Sequence, residues 1–157
     1  MNIAELQQIY RNQNVRAFLQ ALRLGEGTSG PDGYNIRVGG FHFDDFSKHP
    51  KIKIYLPKYG VWSDAAGAYQ FISPTWNEIQ KKYGLPDFSP DSQDLAAVAN
   101  IRDRCHAIED IVAGRLADAI RKCSKEWASL PGSTAGQRTE LYANIEEEFI
   151  MAGGVLA

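Results

Sequence analysis

The segment LRLGEGTSG, residues 22–30, places a carboxylate between two glycines at the end of an apolar stretch. Val15, Leu19 and Leu22, with Phe18 beside them, have the spacing of one face of an amphipathic helix, and Glu26 is the next position on that face. Gly27 follows, the residue type that ends helices in a left-handed conformation. A carboxyl group placed there has two reasons to keep its proton. Burial disfavours the ionised form, and so does the partial negative charge at a helix C-terminus. From a usual pKa of ~4.3, a rise of about two pH units makes a glutamate a proton donor at neutral pH. The flanking glycines leave room for a bulky ligand. The competing reading is a frayed helix end with Glu26 pointing into water.

A second stretch, WSDAAGAYQFISPTW, residues 62–76, could hold such a ligand. Ala65, Ala66, Gly67 and Ala68 are small enough for a ligand to approach the backbone. The ring of Tyr69 could stack on a sugar face, and the amide of Gln70 could hydrogen-bond hydroxyl or acetamido groups. In the alternative reading this is a helix start with Tyr69, Phe71 and Ile72 in the core. Trp62 is a further candidate for stacking, whereas Trp76 and Trp127 fall on helical patterns as core residues.

The elements that must position these groups are mostly helical. A first helix is expected from about Ile3 to Gly25, broken near residues 12–14. Tyr34, Ile36 and Val38 alternate with Asn35 and Arg37 and read as a strand, with Gly39-Gly40 as a turn and KIKIYL as a further strand. Ser73-Pro74 and Ser89-Pro90 start two helices, the first closing on Gly84. Ala119, Ile120, Cys123 and Trp127 form one face of another helix, stopped by Pro131-Gly132, and Leu141, Ile145, Phe149 and Ile150 mark the inward face of the last. The order gives an α+β fold, with a mainly helical body and a small antiparallel β lobe over residues 34–56. A cleft between the two suits an extended ligand, and Glu26 sits where the first helix feeds the lobe.

The 157 residues suit one domain, 1–157, and carry a net charge of −2 without a dense block of Lys and Arg, which argues against nucleic-acid binding. The N-terminal segment lacks the features of a Sec signal peptide, and no apolar run approaches the ~18 residues of a membrane span. Cys105 and Cys123 read as buried free thiols, with a disulfide as the alternative. His42, Asp44, Asp45 and His49 could ligate a metal on a turn, but solvated loop residues are the favoured reading.

Taken together, EGT, GYNIRVGG, DFSKHP, GAYQ, DFSPDSQD, WASLPG and the Gly136-Gln137 pair resemble the phage lambda endolysin family of the lysozyme-like superfamily, over about residues 15–154. The resemblance implies a lysozyme-like fold and a lytic transglycosylase. Such an enzyme cleaves the β-1,4 bond between N-acetylmuramic acid and N-acetylglucosamine in peptidoglycan, for host lysis. It implies Glu26 as the single catalytic acid, with Ser63, Gly67, Tyr69 and Gln70 in the substrate cleft. Asp45, Ser47, His49 and Pro50 would border that cleft, and Trp62 and Gln137 would contact glycan. Residues 56–65 and 130–140 would be mobile lips. No metal or organic cofactor is implied. The expected partners are peptidoglycan strands and a separate holin, with the protein a monomer in the host cytoplasm until lysis and in the periplasm afterwards. Three departures stand out: a shorter connection from Glu26 to Gly33, Asn35 where the lambda relative has Asp, and an acidic balance that predicts weak attraction to the anionic wall. Asp32, Asp44, Asp45 and Asp64 are the candidates for a second acid. A hydrolytic muramidase on the same fold and a non-catalytic glycan-binding module are the competing functions.

Overall fold

The computed structural model describes residues 2–133 and 139–157. The N-terminal stretch forms two helices, α1 (Ile3–Tyr10) and α2 (Gln13–Glu26). Asn12 makes the break. Its backbone is extended and its side chain accepts from the N–H groups of Asn14 and Val15, donors that a helix start leaves unpaired.

The antiparallel sheet lies later in the chain than the alternation predicts. Its strands are β1 (Ile54–Leu56) and β2 (Val61–Ser63), with Tyr55 opposite Trp62. Residues 34–43 form no hairpin of strands. They hold two 3-10 turns, Gly33–Asn35 and Val38–Gly40, and a single bridge between Ile36 and His42. Gly39 and Gly40 have φ of 85° and 84°, and two successive positive values wind the chain into a turn instead of a ladder.

Helices α3 (Ser73–Tyr83) and α4 (Pro90–Asn100) begin at the expected signals, and α3 closes on Gly84 as expected. A π-helical turn, Ile101–Cys105, extends α4, and α5 (Ile108–Val112), α6 (Leu116–Cys123) and α7 (Tyr142–Met151) follow. Helix α6 ends well before Pro131. The hydroxyl of Ser124 donates back to the Arg121 carbonyl, a local bond that competes with helix continuation. Trp127 still reaches the core that Ala119, Ile120 and Cys123 share. On α7, Ile145 and Phe149 face inward, but Leu141 and Ile150 are exposed. Leu141 precedes the helix as its cap, and the buried stripe of α7 is only as wide as its contact with α2.

Helix α4 is the centre of the body. Every residue from Ser92 to Asn100 is buried, and the helix packs on α1, α2, α3 and the π turn. Its alanines at 96, 97 and 99 allow these close approaches. Trp76 meets Phe88 edge-on with centroids 4.6 Å apart, and Phe71 packs on Trp76. Burying each such ring contributes about 2–3 kcal/mol. Cys105 and Cys123 are buried free thiols; their mutual hydrogen bond and burial keep Cys123 protonated. Helix α2 carries Val15, Phe18, Leu19 and Leu22 into this core and runs against α7, where Gln20 donates to Glu148 at 3.1 Å. Its C-terminal end is thus fixed on both sides.

Candidate active site

Glu26 is the last residue of α2 and is half-buried. The Ser129 hydroxyl donates to its Oε1 at 3.2 Å. Burial pushes the pKa of Glu26 from 4.5 to about 7, against a smaller downward pull from that hydrogen bond. Among the described residues, no charged neighbour contributes. At neutral pH the group can therefore both give and take a proton.

The turn after the acid is built from its own helix. Gly27 adopts φ 73° and the Thr28 N–H returns to the Arg23 carbonyl at 2.9 Å, which closes the helix. Arg23 then holds the following loop, donating from Nε to the Thr28 carbonyl and from Nη2 to that of Gly30. Its guanidinium lies 4.5 Å from the centre of the Tyr34 ring. The Thr28 hydroxyl donates to the Ala68 carbonyl, so the acid is tied directly to the second candidate stretch.

That stretch is assembled from behind. The buried amide of Gln93 accepts from the Ala68 N–H at 2.8 Å and donates to the carbonyls of Tyr34 and Phe88. The small residues leave room for this amide more than for a ligand. A Cβ on Gly67, whose φ is 84°, would stand 2.4 Å from Gln93 Oε1. Tyr69 is 2% exposed, so its ring offers no face to a sugar, and the stacking role expected of it does not hold. Its hydroxyl donates to Asp94 at 2.6 Å and its carbonyl accepts from Trp127 Nε1. Gln70 is half-buried with φ 50° and spends its amide N–H groups on the carbonyls of Ile36 and Gly67. This leaves its Oε1 as the acceptor for a ligand. Ser63 ends β2 and accepts from the Ala65 N–H.

The turn residues divide. Asp45 and Ser47 are exposed, and the Ser47 N–H donates to Asp45, holding that carboxyl below its usual range. His49 is 2% exposed and fully engaged: Nδ1 accepts from the Lys51 N–H, and Nε2 meets the Phe71 carbonyl at 2.7 Å. It is therefore the neutral tautomer that donates from Nε2, and it can neither touch a ligand nor join a metal site. Burial also holds its pKa down. Among the described residues, no three His, Cys, Asp or Glu side chains are grouped as a metal site requires. Trp62 is 67% exposed and packs across the strands on Tyr55 with centroids 5.4 Å apart. Gln137 and the rest of residues 134–138 lie outside the described residues.

None of the four aspartates resembles Glu26. Asp32 is exposed, and its bond to His42 at 3.0 Å lowers its pKa. Asp64 is buried, yet hydrogen bonding to Ser73 and the nearby charge of Lys53 outweigh burial and hold it below the carboxylate range. Asp44 is exposed on the turn beside Asp45. Four supporting residues had no role assigned from the sequence: Arg23, Gln93, Asp94 and Ser129. Three of them lie in the motifs SQD and WASLPG, which carried the family resemblance. Asp94 is 7% exposed and accepts from the hydroxyls of Tyr10, Tyr34 and Tyr69.

The sequence model of the Endolysin family matches residues 16–156. The endolysin of Escherichia phage P2 is 39% identical over 164 residues, covering 95% of this chain and 98% of that protein. The endolysin of Escherichia phage lambda is 40% identical over 152 residues, covering 92% and 94%. In three dimensions the chain superposes on bacteriophage lambda lysozyme complexed with a chitohexasaccharide, with a TM-score of 0.87 and 39% identity over 93% of this chain and 97% of that one. A second structure of lysozyme from bacteriophage lambda gives a TM-score of 0.80.

Proposed function

The chain belongs to the Endolysin family and has the fold of phage lambda lysozyme, and from that premise we propose that it cleaves peptidoglycan as a lytic transglycosylase. The observation that carries this reading is Glu26: a desolvated carboxyl poised near neutrality, with no second carboxylate acting on it. A retaining glycosidase sets two carboxyl groups about 5 Å apart, and such a neighbour would push the acid further up by charge repulsion. That contribution is missing from the balance on Glu26.

One group then serves twice. Neutral Glu26 protonates the glycosidic oxygen as the C1–O bond breaks, and the N-acetylmuramic acid ring gains oxocarbenium character. The ring's own acetamido oxygen supports the developing charge. The C6 hydroxyl attacks C1, and its proton returns to Glu26, leaving a 1,6-anhydro end. Proximity favours this internal hydroxyl over water. Ser129 orients the carboxyl, Gln70 Oε1 accepts from a hydroxyl or acetamido N–H, and Trp62 offers an exposed stacking face. The saccharide held by the lambda lysozyme supports a glycan strand as the occupant of the cleft. A separate membrane-permeabilising partner, a holin, would admit the monomeric protein from the cytoplasm to the wall.

The test is mass spectrometry of muropeptides released from purified Gram-negative peptidoglycan, with Glu26→Gln alongside. Anhydromuramoyl products that vanish in the variant are expected. Reducing ends instead would replace the transglycosylase with a hydrolytic muramidase. Binding without release by the wild type would leave a glycan-binding module.

A further inference from the structure

The net charge of −2 conceals a segment of opposite sign. Residues 46–63 contain Lys48, Lys51, Lys53 and Lys58 and no acid, leaving thirteen bases against nineteen acids elsewhere. All four lysines are exposed, and among the described residues none is in an ion pair. Lys48 acts electrostatically on Asp45 and Lys53 on Asp64, whose carboxyl is already occupied by the Ser73 N–H.

The segment is held in place. His49 fixes Lys51 in a left-handed backbone, φ 53°, through its N–H, and binds the Phe71 carbonyl with its other nitrogen. The base of the β1–β2 hairpin is thus joined to the stretch that also meets Thr28 beside Glu26. Two residues after Lys53 comes Tyr55, the cross-strand partner of Trp62; both rings are exposed, and Lys58 lies 5.6 Å from the Tyr59 ring centre. Flat apolar faces flanked by free cations suit a ligand that alternates sugar faces with carboxylates. Bare chitin-type glycan has no carboxylates. The glycan of the wall carries them on its lactyl-peptide branches.

We propose that Lys51, Lys53 and Lys58, around the Tyr55–Trp62 platform, bind the carboxylates of the peptides attached to the glycan, so that this protein prefers peptide-bearing strands to bare ones. The proposal rests on the peptidoglycan reading given above and commits to one partner, the acidic stem peptides. Binding is therefore measured apart from turnover. Glu26→Gln protein, with and without Lys51→Gln, Lys53→Gln and Lys58→Gln, is co-sedimented with purified sacculi, with particulate chitin as a glycan without carboxylates, and with vesicles containing phosphatidylglycerol. Three exposed charge contacts together should weaken binding to intact sacculi about tenfold at low salt. This difference should vanish near 0.3 M salt, with chitin bound equally by both proteins. Equal losses on sacculi and chitin, or no loss on either, would overturn the proposal. Lysine-dependent binding to vesicles alone would overturn it in favour of a lipid surface. Absence of cleavage by the wild type would count against the enzyme reading and leave this binding result intact.

Discussion

If Glu26 is a desolvated acid, keeping it there costs the fold stability, and that cost must depend on pH. The unfolded chain ionises Glu26 near 4.5, and the folded protein near 7. Between these values the native state binds more protons than the unfolded one, so stability falls as pH rises through the window and stays low above it. At ~1.4 kcal/mol per pH unit, the full difference amounts to about 3 kcal/mol. Glu26→Gln carries no charge to desolvate and can still accept from Ser129. The variant should match the wild type at pH 4 and exceed it at pH 8 by up to about 3 kcal/mol. For a domain of this size that is a Tm higher by roughly 6–10 °C. The partly open face of the side chain moves the result toward the lower end. Thermal or urea melts of both proteins across pH 4–9 read it without any assay of activity. A difference that does not change with pH, or a less stable variant at pH 8, would refute the claim that burial sets this carboxyl.

Three further outcomes follow from the same geometry. Ser129→Ala removes a bond that favours the ionised form of Glu26, so the alkaline limb of kcat/KM should move up by roughly one pH unit; an unmoved limb would show that Ser129 does not act on the acid. Gly67→Ala forces a side chain into a left-handed backbone and against Gln93, and should cost about 2–4 kcal/mol in chemical denaturation. Trp62→Ala should raise KM on glycan about fivefold with kcat and Tm nearly unchanged, as expected for an exposed ring that stacks on substrate and supports no core. A matching fall in Tm would mark it as structural.

What could be read in advance was the part written in local patterns. The stripe of Val15, Leu19 and Leu22 leads to Glu26, and Gly27 closes the helix behind it, because both depend on neighbours within two turns. The Ser-Pro starts of α3 and α4 are equally local. Tyr69 illustrates what was not. Its place beside Gln70 suggested a ligand-facing ring, but Asp94 and Trp127, 25 and 58 residues further on, draw it into the core. The alternation of residues 34–38 imitates a strand for a similar reason. Residues 34–38 are all half-buried, so the apolar–polar alternation there matches no alternation in exposure, and pairing with a partner strand is a tertiary fact. Ser129 could not be linked to Glu26 by spacing at all, since 103 residues separate them.

The contact of α2 with α7 bears on how the protein is made. The helix that carries the acid is synthesised early, but one of its flanks packs on residues 142–151. Beyond that helix, the Val155 N–H donates to Asn14 and the Asn14 amide returns to the Val155 carbonyl. A ribosome that has just passed residue 131 has therefore made the acid but not the support that holds it in place. A chain that stops short of α7 lacks that support, so a well-held Glu26 requires translation to pass through α7.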